Sequence, residues 1–238
     1  MNSSTGLSAL ARDIDQPPFP LSLRATQSDV VEMRVLELLT SRLCHEISGP
    51  IAAINNGIEL LAEEDPDFQQ DALALVGDSA RRASSQLQFY RFVYGFSCDS
   101  AMVGPAPQDL ANQFFATTRI ACDYIDSARA LPLACQKFAC NLLLVGAEIL
   151  SRGGRLALSD GPGTLDLRAI GEGAFLSSEA SAALMVATPV SALTSRTVQP
   201  YFTGLLAGAL GWRLSHRTEP WGVRLTALAL TGVGGTDA

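Results

Sequence analysis

A run of apolar residues at helical spacing constrains this chain more than any other feature. Leu36, Leu39, Leu43, Ile47, Ile51, Ile54, Ile58 and Leu61 recur at intervals of three and four. Such a pattern lines one face of a long amphipathic helix. The helix should begin between Ala25 and Val30 and run to about Glu64. Asp65-Pro66-Asp67 then breaks it, because proline lacks the amide and crowds the preceding turn. A second helix is predicted from Phe68 to Phe96, with the seam Leu73, Val76, Ala80, Ala83, Leu87, Tyr90 and Tyr94. Alternating threes and fours are the spacing of helices packed at a shallow angle. Two such helices joined by a tight turn make an antiparallel hairpin. The hairpin carries more apolar surface than it covers alone, and Phe89, Phe92 and Phe96 add an aromatic edge. A two-fold homodimer forming a four-helix bundle would bury both. The alternative is that the rest of the chain covers the hairpin.

Only two histidines are present, His45 and His216. His45 lies two residues from both Leu43 and Ile47, about 160° from each around a helix. It therefore sits off the apolar stripe, where an imidazole serves reaction or solvent rather than packing. Cys44 adjoins it, but adjacent helical side chains diverge by about 100°, and no third orienting residue is evident, so a serine or cysteine hydrolase is poorly supported. Pro50 falls inside the same helix and deprives the Glu46 carbonyl of its partner, so a bend or loosening is expected just beyond His45. His216 falls near a predicted hairpin turn and reads as a surface residue.

Hydrophobic residues make up 47% and charged residues 17% of the 238, which suits a folded chain with one large core or two small ones. The net charge of -7 disfavours nucleic acid as the main partner. No apolar run reaches membrane-spanning length, and no leader is apparent. Five cysteines, Cys44, Cys98, Cys122, Cys135 and Cys140, show no close paired spacing, so free thiols in the cytoplasm are expected.

Residues 1–26, with Pro17, Pro18 and Pro20, read as a flexible N-terminal segment, 27–103 as the hairpin, and 104–238 as a second domain opened by a linker at Gly104 to Gln108. In that domain helices are predicted at Asp109 to Ile120, 132–151, Ser178 to Val186 and Val198 to Leu210. Strands are predicted at Arg155 to Ser159, Thr164 to Ile170, Trp212 to His216 and Val223 to Leu230. Asp160-Gly161-Pro162-Gly163 and Glu219-Pro220 supply the turns. The fold class is α+β, with a small sheet covered by helices on one face.

The phrase Arg42-Leu43-Cys44-His45-Glu46 through Pro50, followed by Ala53-Ile54-Asn55-Asn56-Gly57 and Glu59-Leu60-Leu61, resembles the histidine box of two-component kinases. It looks most like the ChpT-type histidine phosphotransferases, which join a kinase-like dimerisation hairpin to a degenerate ATPase-like α/β sandwich. The resemblance implies a phosphorelay role. His45 would take a phosphoryl group from the receiver domain of a hybrid histidine kinase and pass it to response-regulator receiver aspartates. Neutral imidazole is nucleophilic near pH 7, and its phosphoramidate is a good donor. Glu46 matches the acidic residue that follows the phosphorylated histidine. Mg²⁺ would sit on the receiver, with no cofactor intrinsic to this chain. Arg42, broadly on the histidine's face, is a candidate for contact with a phosphoryl oxygen or an acidic receiver edge, or simply a solvated charge. Gly49, Asn56, Arg81 and Arg82 are further docking or phosphoryl-contact candidates, and Asn56 and Gly57 are expected to shape helix packing or receiver contact rather than carry chemistry. Gly49 stands where kinase boxes usually carry a polar residue tied to phosphatase activity, which makes dedicated phosphatase activity less expected.

Phe138 to Ala147 resembles the asparagine box of kinase ATP-binding domains. Asn141 is retained, but Val145 fills the Mg²⁺-binding position and offers no ligand atom. Gly204-Leu205-Leu206-Ala207-Gly208-Ala209-Leu210-Gly211 resembles a remnant glycine box. Autokinase activity is therefore not expected. A non-catalytic dimeric adaptor that binds receivers, and an ATP-dependent histidine kinase, are the alternatives.

Overall fold

A computed structural model describes residues 32–62, 66–95 and 104–230. The predicted N-terminal segment, the start of the first helix, Phe96 and Cys98 lie outside the described residues. The described residues form one compact unit.

Helices α1 (Met33–Leu60) and α2 (Pro66–Tyr94) form the expected hairpin. Pro66 opens α2 instead of ending α1, which suits a residue whose missing amide has no helical partner at a first turn. Helix α1 runs unbroken through the buried Pro50, so no interruption follows His45. The Ser48 hydroxyl donates to the Cys44 carbonyl within this stretch, at 2.7 Å.

The seam of α2 differs from the expected one. Ala72, Ser79 and Gln86 are buried, whereas Leu73 and Leu87 are 61% and 55% exposed and Ala80 is exposed. The inner seam thus runs 72, 76, 79, 83, 86, 90, half of it offset by one residue from the expected set. Small residues let the helices approach closely. A Cβ on Gly57 would lie 2.6 Å from Val76 Cγ2 and 3.3 Å from the Ala72 carbonyl oxygen, so this glycine serves helix packing. The outer leucines remain uncovered, as do Leu36, Ile51 and Ile58 on α1.

The aromatic edge is also disposed differently. Phe89 and Phe92 are buried by the second half of the same chain, with Phe89 stacked on Phe114 at 4.6 Å between ring centroids. Phe114 and Phe115 belong to α3 (Pro107–Ala116). That helix ends before β1 (Ile120–Asp123), a strand absent from the sequence reading. Four residues are too short to show a period.

Helix α4 (Leu133–Ile149) is the centre of the domain. Phe138 to Val145 are all almost completely buried, as expected of a helix apolar on every side. Strands β2 (Gly154–Gly161) and β3 (Thr164–Ile170) follow, then α5 (Ser178–Leu184), α6 (Val198–Ala209), β4 (Trp212–Glu219) and β5 (Gly222–Ala229). The five-stranded sheet has the order β1-β2-β3-β5-β4, with β1 parallel to β2 and every other pair antiparallel. Leu156, Leu158, Leu165, Leu167, Val223 and Leu225 alternate inward and are buried. Arg155, Arg168 and Arg217 alternate outward and are exposed. One helix-covered face and one wet face result, as the sequence pattern implies.

His216 lies inside β4 opposite Leu225, not at the turn, which comes after Glu219. Its Nε2 is 2.7 Å from the Ser181 hydroxyl. The four described cysteines are free thiols. Among the described residues no helix is long and apolar enough to cross a membrane.

The N-terminal half of α1 is held to the second half of the chain. Val35 and Leu39 pack with Leu193, Val198 and Tyr201 in an apolar cluster of their own. Deep in the molecule, Asn141 and Gln199 are fully buried and joined at 3.0 Å. The Tyr94 hydroxyl donates to Gln199 at 2.6 Å. The Asn141 amide reaches the Lys137 carbonyl at 2.9 Å and, more weakly, the Val93 carbonyl at 3.4 Å. This network ties the end of α2 to α4 and α6.

Candidate functional site

His45 is exposed on α1 and borders an open cleft of about 800 Å³. The helical period that buries Leu39 and half-buries Leu43 and Ile47 turns the imidazole outward. The cleft lies between α1, the last turn of α4 with Glu148, and the segments bearing Phe175 and Arg196. Arg42, His45 and Glu46 all line it, so three sequence-derived candidates come together. Gly49, Asn56, Arg81 and Arg82 are exposed but do not line it. Arg81 is paired with Asp78 on its own helix. A side chain at Gly49 would meet only open space.

Arg42 is not a free surface charge. Its side chain is only 15% exposed, contacts Glu148 Oε1 at 2.5 Å and donates to the Ser195 carbonyl at 3.4 Å. Glu46, half-buried, contributes a negative field at Arg42, Tyr90, Tyr94 and Glu148. Among the described residues no hydrogen bond joins Glu46 to His45. Burial holds the Tyr90 and Tyr94 phenols protonated well above their ordinary range.

Burial also pushes the Glu148 carboxyl up to about 7, against the opposing pull of Arg42. The Arg42 guanidinium, with Nη1 on Glu148 Oε1, lowers it by less than burial raises it. Neither Arg42 Nε nor Glu148 Oε1 has a hydrogen-bond partner in good geometry. The folded state therefore holds this proton more tightly than the unfolded chain. Stability falls as pH rises from the ordinary 4.5 to about 7 and then levels. Glu148→Gln should remove this dependence, with Glu46 remaining as a counter-charge for Arg42. Thermal melts of the variant should exceed wild type most above pH 7 and converge with it toward pH 4.5. A constant difference across that range would contradict the assignment.

Glu148, Phe175, Ser195 and Arg196 did not emerge from the sequence as site residues. Glu148 carried one signal, as a lone acid near the end of the apolar run Asn141 to Leu150. The others sit outside any periodic element. Val145, at the position that the resemblance assigns to a metal-binding asparagine, is 1% exposed and backs the same cleft. Asn141 spends its amide within the buried network.

Residues 106–220 match the model of the histidine phosphotransferase C-terminal domain. Protein phosphotransferase ChpT of Brucella abortus (strain 2308) is 35% identical over 195 residues, spanning 76% of this chain and 89% of that protein. A solved structure of a bacterial phosphotransferase superposes with a TM-score of 0.66 at 30% identity, covering 83% of this chain and 97% of its own. With the kinase-like histidine box on a helical hairpin and the matching α/β domain behind it, the chain belongs to the ChpT-type histidine phosphotransferase family.

Proposed function

We propose that His45 is the relay residue of a phosphorelay, taking a phosphoryl group from one receiver aspartate and giving it to another. The observation that carries this is an exposed imidazole, within the histidine box of a hairpin helix, beside an open cleft of about 800 Å³. A ring nitrogen of neutral His45 attacks the phosphorus of the receiver's aspartyl phosphate. The N–P bond forms as the acyl O–P bond breaks, and the aspartate departs as a carboxylate. The phosphorylated imidazolium then releases its ring proton to water. The reverse reaction passes the group to the next receiver. The receiver supplies Mg²⁺ and its acidic pocket. This chain supplies the nucleophile and the docking surface, with Arg42 and Glu46 setting the charge beside it.

The phosphate comes from a protein rather than from ATP in this reading. Val145 offers no ligand atom, and Asn141 is committed to Gln199, Lys137 and Val93. The test is incubation with phosphorylated receiver domains from the source organism. The transferred group should be stable in base, labile in acid and located on the peptide that contains His45. Receivers that bind without transferring the group would make the protein an adaptor instead. Direct labelling by ATP would make it a kinase.

The same proposal includes a homodimer in the cytoplasm. Leu73, Ala80 and Leu87 repeat every seven residues on the open side of α2, and Leu36, Ile51 and Ile58 are open on α1. A second hairpin packed there completes a four-helix bundle. Burying each leucine is worth roughly 2 kcal/mol, and two-fold symmetry counts each one twice. Sedimentation should give twice the 25.2 kDa chain mass. Leu73→Asp with Leu87→Asp should return it to one chain mass with its helical circular dichroism retained. A wild-type protein that sediments as one chain would rule the dimer out.

A further inference from the structure

The joint between α1 and the second domain carries polar contacts beside the apolar cluster of Val35 and Leu39. Two arginines spaced two turns apart stitch α1 to the segment before α6. Arg34 Nη2 donates to the Leu193 carbonyl at 3.0 Å, and Arg42 Nη1 to the Ser195 carbonyl at 3.4 Å. Arg42 alone also meets a carboxylate, Glu148, whose side chain is 26% exposed. Glu148 lies in the last turn of α4 and is the one acidic residue of that helix. Desolvation consumes most of what such a pair gains, and apolar replacements are often as stable. The pair instead fixes relative position. Arg42 is in the turn just before His45, and Glu148 and Ser195 belong to the facing wall of the cleft.

We propose that Glu148 is a positioning residue for phosphotransfer: through the Arg42 guanidinium it holds the His45-bearing turn of α1 at a set distance from the second domain, and so fixes the width of the cleft that receives the phosphorylated receiver. The proposal rests on the relay reading of His45. Glu148 touches no reacting atom in it. Its effect falls on docking, and the intrinsic reactivity of the imidazole is untouched.

The experiment compares two phosphodonors on the full chain. One is the phosphorylated receiver domain that labels the wild type, and the other is phosphoramidate, a donor too small to sense the cleft. Glu148→Leu removes the tie, and Glu148→Asp shortens it so that it no longer reaches Arg42. Both should raise the KM for the receiver about 10-fold or more, the scale expected of small misplacements at a docking site. Both should react with phosphoramidate at the wild-type rate. Glu148→Gln keeps an acceptor of the same length and should stay within about threefold of wild type for both donors, a change worth less than the 1.4 kcal/mol of a tenfold effect. If Glu148→Leu does not fold, the aspartate variant decides.

A receiver KM unchanged in the folded Leu or Asp variants overturns the proposal. So does an equal loss with phosphoramidate, which would place Glu148 in the chemistry itself. A wild type that accepts phosphate on His45 from phosphoramidate but from no receiver refutes the relay reading, and the positioning role falls with it.

Discussion

His45→Ala should accept no phosphoryl group from any receiver that labels the wild type, leaving the signal at background. On the relay reading proposed above, the loss is complete because the variant lacks the atom that would form the N–P bond, and among the described residues no second histidine lines the cleft. Cys44 is exposed next to His45, but its side chain leaves the helix in a different direction. The only other imidazole, His216, is in β4, hydrogen-bonded to Ser181 and outside the cleft. His216→Ala therefore serves as the control and should keep wild-type labelling. The alanine variant should keep its fold, since an exposed side chain on a helix contributes little to packing. Melting temperature, compared with transfer from a labelled receiver, separates the two effects. Persistent acid-labile phosphate on His45→Ala would sink the assignment.

The second large effect is on stability. Asn141→Leu should destabilise the fold by about 3 kcal/mol, read from urea unfolding. Asn141 is completely buried and its amide group is satisfied on both sides. Leucine fills similar space but withdraws the acceptor from the Gln199 amide. That amide keeps only the Thr203 hydroxyl at 3.3 Å, and the Val93 carbonyl loses its contact. A half-satisfied polar network is worse than an apolar one, because the stranded groups retain the full cost of desolvation. Adding Gln199→Leu should recover only part of the loss, since the Tyr94 hydroxyl would then lose the acceptor of its proton. If Asn141→Leu unfolds at the wild-type midpoint, the network is not structural. Asn141, which the sequence resemblance places in an asparagine box, would thus serve the joint between α2, α4 and α6.

How much of this was legible beforehand depends on the range over which each interaction acts. The first helix and the outward side of His45 followed from residues within two turns of one another; the structure has a helix over Met33–Leu60 with His45 exposed, while Leu36, Ile51 and Ile58 of the apolar stripe stay uncovered. Strands β2 and β3 were legible because the turn Asp160-Gly161-Pro162-Gly163 is local chemistry. Strand β1 was not, because its four residues pair in parallel with a strand beyond α4. The heptad of α2 announced a packed seam without saying what fills it. Small Ala72 and Ser79 pack on α1 while Leu73 and Leu87 stay open, a choice set by how closely the backbones approach at Gly57.

The sequence by itself determined an exposed histidine on an amphipathic helix, the box around it and a mixed helix-and-sheet second half. Those features depend on backbone periodicity and turn chemistry, which neighbouring residues specify. Only the tertiary structure decided that Phe89 and Phe92 are covered within the chain, and that Arg42 is spent on Glu148 and Ser195. Ser195 lies 153 residues from Arg42, and no local pattern encodes which distant carbonyl a guanidinium meets. That choice is made when the hairpin docks on the α/β layer, because burial then forces each polar group at the joint to find a partner.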